Sequence, residues 1–127
     1  MVLRGDVNTI TIGNRVNIQD NASVHTLYQR SVTVIGDDVS VGHNAVVHGA
    51  KVGNNVLVGM GAILMDNAEI ADGSIIAAGA VVLSNEKLEP GVYAGVPAKK
   101  VKDGSEAITA AAHKNAQGYM MYKEWYK

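Results

Sequence analysis

Apolar positions recur every six residues over most of this chain. The aliphatic residues at these positions are Ile12, Ile18, Val24, Ile35, Val41, Val47, Val52, Val58, Leu64, Ile70, Ile76 and Val82. An α-helix repeats at 3.6 residues and a simple strand at two, so a period of six fits neither alone. It predicts a coil with three short sides, in which each aliphatic residue points at the axis and each side ends in a turn.

This period predicts both the fold class and the domain organisation. β-Branched residues suit flat sides, whereas Gly, Asn and Asp suit corners that need a positive φ. We therefore expect a single domain over 1–127, an all-β solenoid in which a parallel β-helix of triangular section covers 1–88. A connecting tail over 89–104 follows. Good helix formers then predict a C-terminal α-helix over 105–127, capped by Ser105.

The period is broken at two places. The step from Val24 to Ile35 is eleven residues, which predicts a small loop over about 26–30. The step from Val47 to Val52 is five residues, so one residue is missing just after His48. Irregularities of a solenoid usually lie on its functional face, although simple drift of the repeat is the alternative.

Composition narrows the chemistry that the chain can perform. Its formal net charge of -1 indicates neither a nucleic acid nor an anionic membrane as a partner. It has no cysteine, so any metal must be held by nitrogen and oxygen ligands. No apolar run approaches the roughly 20 residues that span a bilayer, and no secretory signal is visible. These features predict a cytoplasmic protein.

The six-residue period places two of the histidines on the same side of neighbouring coils. Val24 and Val47 fall on the same side one coil apart, so His25 and His48 take equivalent positions on strands about 4.8 Å apart. That spacing suits two ligands of one metal ion. His43 lies near a corner on an adjacent side and does not easily reach the same ion. A closed homotrimer, with His43 supplied by the adjacent chain, would complete three sites at three interfaces.

The alternative for each histidine is an ordinary hydrogen-bonding role. A single histidine in a solenoid corner is more commonly of that kind, but two in register with a third at a symmetry-related position favour a metal site. His113, within the predicted helix, has no such neighbours and is expected to be solvated.

Several motifs resemble those of the gamma-class carbonic anhydrases and their hexapeptide-repeat relatives. They are LRGD at 3–6, NIQD at 17–20 with His25 following, GHNAVVHG at 42–49, LVGMGA at 57–62 and AGVPAKKV at 94–101. The resemblance covers nearly the whole chain, and the spacing from NIQD to the three histidines is specific. The six-residue period alone is not specific, because many acyltransferases share it.

The resemblance implies a left-handed β-helix, a homotrimer and a metal ion at each interface. The expected metal is Zn²⁺, with Fe²⁺ or Co²⁺ as alternatives. In such enzymes a metal-bound hydroxide attacks CO₂ to give bicarbonate. His25, His43 and His48 match the ligands of the family.

Further positions match catalytic residues of the family. Gln19 matches the glutamine that orients the hydroxide, and Asn17 belongs to the same polar group. Tyr119 matches a tyrosine of the active-site wall, with a packing aromatic of the predicted helix as the alternative.

Three charged residues match a group that braces the subunit contact. Arg4 and Asp6 correspond to a buried pair of the family, with Asp20 nearby. Asp20 also falls one coil from His43 by phase, so it is a candidate partner for an imidazole N–H. A purely structural ion network is the alternative for all three.

The chain departs from the archaeal type of the family in its carboxylates. Val7 stands where a glutamate follows RGD, and the loop TLYQRSV at 26–32 has no acidic residue. Met121 stands where that type has asparagine. Without a proton shuttle, we expect regeneration of the hydroxide to depend on buffer or solvent. Family members normally begin with one or two further coils, so an uncovered end with unpaired strand edges is expected here.

Two other functions are compatible with the sequence. The first is a CoA-dependent acyltransferase or thioesterase in which a histidine acts as general base without a metal. The second is a non-catalytic metal-binding homologue of the carbonic anhydrases, which the missing glutamates favour.

Overall fold

The computed structural model describes residues 2–4, 10–25 and 32–105. Over these ranges the chain winds as a β-helix whose coils have three sides, and each side contributes a strand to one of three sheets. The solenoid predicted from the six-residue period is confirmed. The predicted loop over 26–30 lies outside the described residues, and so does the predicted helix beyond Ser105.

From β1 to β15, every third strand along the chain joins the same sheet, and β16 adds to the sheet of β15. The first sheet contains β1 (Val2–Arg4), β4 (Ser23–His25), β7 (Val46–His48), β10 (Ile63–Leu64) and β13 (Val81–Val82). The second contains β2 (Ile10–Ile12), β5 (Thr33–Ile35), β8 (Lys51–Val52), β11 (Glu69–Ile70) and β14 (Lys87–Leu88). The third contains β3 (Asn17–Ile18), β6 (Ser40–Val41), β9 (Leu57–Val58), β12 (Ile75–Ile76), β15 (Gly91–Ala94) and β16 (Lys99–Asp103). Neighbouring strands are parallel, except that β16 runs antiparallel to β15.

The aliphatic residues of the six-residue period line the axis, as predicted. Those from Val24 to Val82 are buried, while Ile12 and Ile18 are half-buried and pack against the same core. The pattern did not predict a second inner row, whose members are Ala22, Val39, Ala45, Ala50, Val56, Ala62, Ala68, Ser74 and Ala80. They follow the corners, where a triangular coil is narrow, so small side chains fill the remaining space.

The corners adopt the left-handed backbone that the sequence predicts. Positive φ angles occur at Arg15, Asn21, Asp38, Asn44, Asn55, Asn67 and Asn85, and at several glycines. Successive corners are joined by backbone hydrogen bonds. The amide of Asn44, for example, donates to the carbonyl of Asp20 at 3.2 Å, and that of Gly61 to the carbonyl of His43 at 2.9 Å. This stacking fixes each coil in register with the next.

An ion pair that the sequence did not predict joins two neighbouring corners. Arg15 Nε donates to Asp38 Oδ1 at 2.7 Å, and Arg15 Nη2 donates to Asp38 Oδ2 at 3.0 Å. This hydrogen bonding to Asp38 raises the pKa of Arg15, and burial acts weakly in the opposite direction. The guanidinium is largely exposed, so solvent screens the pair, which therefore aligns the two coils more than it stabilises them.

The predicted connecting tail over 89–104 contains β15 and β16. Tyr93 in β15 is buried, and its hydroxyl donates to the carbonyl of Glu89 at 2.5 Å. Burial of the ring raises the pKa of Tyr93.

Within the described ranges no helix has the length and apolar character to cross a membrane. The cytoplasmic location stays a prediction.

We predict that Gly59→Ala destabilises the coil far more than Gly79→Asn. A Cβ at Gly59 would lie 2.6 Å from the amide nitrogen of Ala78 and 2.8 Å from the carbonyl oxygen of Ile76. Both are backbone atoms of the next coil, so we expect a loss of about 2–3 kcal/mol.

Gly79→Asn is the matched control for this prediction. Gly79 has φ +72° with open space around it, and asparagine already occupies this position in other corners, so the change should stay below about 1 kcal/mol. Denaturant unfolding measures both variants. An equal loss of unfolding free energy in the two variants would show that contact with the next coil does not exclude a side chain at position 59.

Candidate metal and active site

Strands β4 and β7 place two histidines in one row. Val24 pairs with Val47, and His25 pairs with His48. Val24 and Val47 are fully buried at the axis, so the residues that flank them along each strand belong to the outer face of the first sheet. The register predicted from the sequence is confirmed. For His25 the structure describes the backbone.

His43 lies elsewhere on the coil, as predicted. It occupies the corner between β6 and β7, next to Asn44 with its positive φ of 60°, and it is half-buried. His48 stands at the opposite end of β7, so the length of that strand separates the two residues. Among the described residues no group of three His, Asp or Glu side chains is placed to hold a metal ion.

Asp20 and His43 occupy equivalent corners of neighbouring coils. Ile18 pairs with Val41, and Asp20 and His43 each come two residues later. The hydrogen bond from Asn44 to the Asp20 carbonyl joins the same two corners. This confirms the predicted phase relation, whereas a role for Asp20 as partner of the imidazole stays a prediction.

Gln19 is buried without satisfying its side-chain amide. It follows β3 on the outer side of the third sheet and is only 3% exposed. Within the described part of the chain, neither Oε1 nor Nε2 has a hydrogen-bond partner. Ser40 pairs with Asn17 along the sheet, and its hydroxyl is also buried without a hydrogen-bond partner among the described residues. A buried polar group without a partner costs about 1–3 kcal/mol and calls for water, an ion or another chain to meet it.

The structure describes only some of the remaining predicted site residues. Asn17 is half-buried on the outer row of the third sheet. The backbone of Arg4 pairs with His25, so Arg4 extends the histidine row by one coil. Asp6 and Tyr119 lie outside the described residues.

The sequence did not predict the contact of His48 with Asp66. Nδ1 of His48 lies 2.5 Å from Oδ1 of Asp66, which stands 18 residues further along the chain. Both side chains are about three-quarters buried, with 25% and 22% exposure. The signal that could have revealed the contact is the five-residue step just after His48, which changes how the next coil meets this corner.

Apolar side chains continue the histidine row and the row beside it. Ile63 pairs with Val46 and with Val81 in the outer row of the first sheet. Met65 and Leu83 follow buried Leu64 and Val82, so they take the position of His48 in the next two coils. Ile63, Met65 and Leu83 are 38%, 38% and 42% exposed. One face therefore carries both histidines and an exposed apolar strip, defined here as Val46, Ile63, Met65, Val81 and Leu83.

A cavity among the described residues lies away from this face. It is a shallow space of about 340 Å³ on the second sheet, lined by Lys51, Val52, Gly53, Glu69, Ile70, Ala71, Lys87, Leu88 and Glu89. No histidine and no glutamine lines it. The geometry of the histidine row, rather than this cavity, therefore defines the candidate site.

Comparison with known proteins supports the family suggested by the motifs. A model described as bacterial transferase hexapeptide (six repeats) matches residues 49–84, and one described as hexapeptide repeat of succinyl-transferase matches residues 32–65. Protein YrdA of Escherichia coli strain K12 is 41% identical over 99% of this chain and 72% of its own length. A carbonic anhydrase of Geobacillus kaustophilus is 43% identical over 99% of this chain and 69% of its own.

The chain belongs to the gamma-carbonic-anhydrase-like family of hexapeptide-repeat proteins. A solved structure of a hexapeptide transferase family protein from Anaplasma phagocytophilum has a TM-score of 0.84 and 40% sequence identity. It covers 98% of this chain and 74% of the other. The β-helix is therefore the left-handed form of this family, as the motif resemblance implied. The name of the relative from Geobacillus kaustophilus also supports a carbonic-anhydrase-like enzyme.

We predict that Gln19→Met stabilises the metal-free protein. Methionine has nearly the shape of glutamine without the unpaired amide, so the free energy of unfolding should rise by about 1 kcal/mol. Thr33→Val is the control, because the buried Thr33 hydroxyl accepts a hydrogen bond from the Gly49 amide at 2.9 Å. That change should lower stability by about 1–3 kcal/mol. Destabilisation by both variants would mean that the Gln19 amide is already satisfied.

Proposed function

We propose that this protein is a carbonic anhydrase that interconverts CO₂ and bicarbonate at metal sites shared between three copies of the chain. The observation that carries the proposal is the pairing of His25 with His48 in one outer row. The relative from Geobacillus kaustophilus, named a carbonic anhydrase, supports the reaction. The comparison covers nearly the whole chain at 43% identity, so it includes both histidine-bearing coils.

The donor set suits a divalent transition metal. His25 and His48 would supply two imidazole nitrogens from one copy, and His43 of the next copy would supply the third. Three imidazoles with an open position suit catalytic Zn²⁺, and Fe²⁺ or Co²⁺ accept the same ligands. His43 precedes β7 and His48 ends it, so the strand separates these two residues, which favours a site completed by a second copy.

The exposed apolar strip supports this assembly. It lies on the same face as the two histidines, and three of its members are more than a third exposed in the isolated chain. Contiguous apolar surface beside polar ligands is typical of a protein interface. We propose that a second copy covers the strip and brings its His43 corner to the histidine row, and that a closed ring of three copies completes three equivalent interfaces.

The residues around the site would orient the reactants. A metal ion held by the three histidines would supply water of near-neutral pKa as the nucleophile toward CO₂. The amide of Gln19 has a carbonyl oxygen that accepts and an NH₂ group that donates, both buried and without a partner in the described chain, so it can hold that water in one orientation. Asn17 would add to the polar group, and Tyr119 would form part of the wall.

A CoA-dependent acyltransferase or thioesterase is the second candidate. The family models with transferase descriptions favour it. The reaction needs a groove for a large thioester next to a general base. The cavity on the second sheet is lined by lysines and glutamates and has no histidine, so the geometry supports this function less well. A non-catalytic metal-binding homologue would share the metal site without turnover.

The proposal predicts metal-dependent CO₂ hydration that requires His48. Protein prepared anaerobically and loaded with Zn²⁺, Fe²⁺ or Co²⁺ should retain about one metal ion per chain after dialysis and hydrate CO₂ in a stopped-flow assay. His48→Ala should lose both the metal and the activity while keeping the β-sheet circular dichroism spectrum. His113→Ala is the control and should keep both.

The outcomes separate the three functions. Metal without hydration in several buffers supports the non-catalytic homologue. No retained metal, together with turnover of acyl-CoA thioesters, supports the transferase or thioesterase. Retention of one metal ion per chain by His48→Ala would refute the ligand assignment.

The shared site predicts complementation between two inactive variants. His43→Ala and His48→Ala should each bind no metal alone. When the two are co-refolded in equal amounts, an interface between a His43→Ala copy and a His48→Ala copy recovers all three ligands in one orientation. Random assortment should then restore about one quarter of the sites. Absence of any restored metal in mixed assemblies would contradict sharing between copies.

A further inference from the structure

Asp66 reaches His48 because the corner after β7 is one residue short. The residue with positive φ in this corner is Gly49, directly after His48, whereas in the next coil Asn67 has it, two residues after Met65. His48 and Met65 occupy the same place in their coils, since Val47 pairs with Leu64. The shortened corner therefore has no residue at the place of Asp66.

The backbone hydrogen bonds between coils show the same one-residue shift at this corner. In ordinary corners the amide of the left-handed residue donates to the carbonyl one position before the left-handed residue of the preceding coil, as Asn85 does to Asp66 at 3.0 Å. At the short corner Asn67 donates instead to Gly49 itself, at 2.8 Å. The coil of His48 has no residue in register with Asp66, and the carboxylate of Asp66 extends to the imidazole of His48.

The chemistry of the contact favours one tautomer of the ring. An ionised carboxylate has acceptor oxygens only, so the hydrogen bond requires the proton to be on Nδ1 of His48. In a neutral imidazole Nε2 then carries the lone pair, and this nitrogen points away from Asp66. Burial of about three-quarters of each side chain limits competition from water.

We propose that Asp66 is a positioning residue that holds His48 in the Nδ1–H tautomer and directs Nε2 to the metal site. The part that concerns the metal rests on the proposed function, whereas the tautomer does not. Carboxylates that orient ligating histidines raise the basicity of the ring, and their loss typically lowers metal affinity 10–100-fold. Gly49 is held from the other side by Thr33, so the corner that carries His48 is braced on both faces.

The first test is the tautomer in the metal-free protein. Long-range ¹H–¹⁵N correlation spectra, recorded where imidazoles are neutral, distinguish a protonated from an unprotonated ring nitrogen. His48, assigned by loss of its signals in His48→Gln, should show a protonated Nδ1 and an unprotonated Nε2. Asp66→Ala should lose this preference, and Asp66→Asn, whose amide oxygen still accepts the hydrogen bond, should restore it.

The second test is the affinity for Zn²⁺, measured by competition with a chelating indicator. Asp66→Ala should bind Zn²⁺ about 10–100-fold more weakly than the unmodified protein, with a smaller loss in Asp66→Asn. Asp72→Ala is the matched control. Asp72 also comes second after an inward residue, but its Oδ1 accepts a hydrogen bond from the backbone amide of Asn54 at 2.7 Å. The Asp72→Ala variant should be less stable but should keep the His48 tautomer and the affinity for Zn²⁺.

The results separate this inference from the proposed function. A protonated Nε2 in the unmodified protein, or a tautomer unchanged in Asp66→Ala, would overturn the positioning role. An unchanged Zn²⁺ affinity in Asp66→Ala would overturn its connection to the metal. If the unmodified protein binds no metal, the proposed function fails, and with it the metal part of the inference, while the tautomer measurement still decides what Asp66 does to His48.

Discussion

The structure depends on backbone hydrogen bonds between successive coils. Each side of one coil pairs in parallel with the same side of the next, and the corners are joined by further amide-to-carbonyl bonds. Neighbouring strands are then held about 4.8 Å apart, and a slip of one residue would turn every aliphatic side chain away from the axis. Residues far apart in sequence are therefore fixed beside each other, including His25 and His48.

This rigidity explains why the fold could be predicted from one sequence. The period of six identified the inward residues, the three sides and the register of Val24 with Val47, because the number of residues per side determines all of these. The inner row of alanines was not predicted, since a small residue in a corner carries no hydrophobic signal. Handedness was also beyond the pattern, because both hands give the same inward positions, and it came from the family.

The candidate site was predictable only where its residues obey the period. His25, His48 and the relation of Asp20 to His43 follow from counting. Asp66 was missed because the deletion after His48 shifts the register of one corner, so its contact joins residues that the count places at different positions. The burial of Gln19 was likewise not visible, since its position on the coil usually holds Gly or Ala.

The scaffold itself does not select between carbonic anhydrase and transferase chemistry. Hexapeptide-repeat models with transferase descriptions match its middle coils, and a relative that is 43% identical over 99% of this chain is named a carbonic anhydrase. Function must then be argued from the places where the residue type or the spacing departs from the repeat. Those departures are the two aligned histidines, the buried glutamine and the short corner with its aspartate, and all of them suit a metal site better than a thioester groove.

Polar and apolar residues are divided between coils in a way that fits this conclusion. In the outer row of the third sheet, Asn17 and Ser40 are followed in register by Leu57, Ile75 and Val92. In the first sheet, the row of His25 and His48 continues as Met65 and Leu83. Burying Leu57 and Ile75 contributes about 1.5–3 kcal/mol each, whereas the unpaired groups of Gln19 and Ser40 each cost a similar amount.

The later coils can therefore stabilise a chain whose earlier coils retain unsatisfied polar groups. If selection acted on stability alone, the earlier coils would carry aliphatic residues in these rows as well, because the backbone geometry is the same. Their polar residues are best explained by a ligand that satisfies them. In the isolated chain the histidine-bearing coils are consequently the less stable part, and binding of a metal ion and of a second copy would stabilise the part that performs the chemistry.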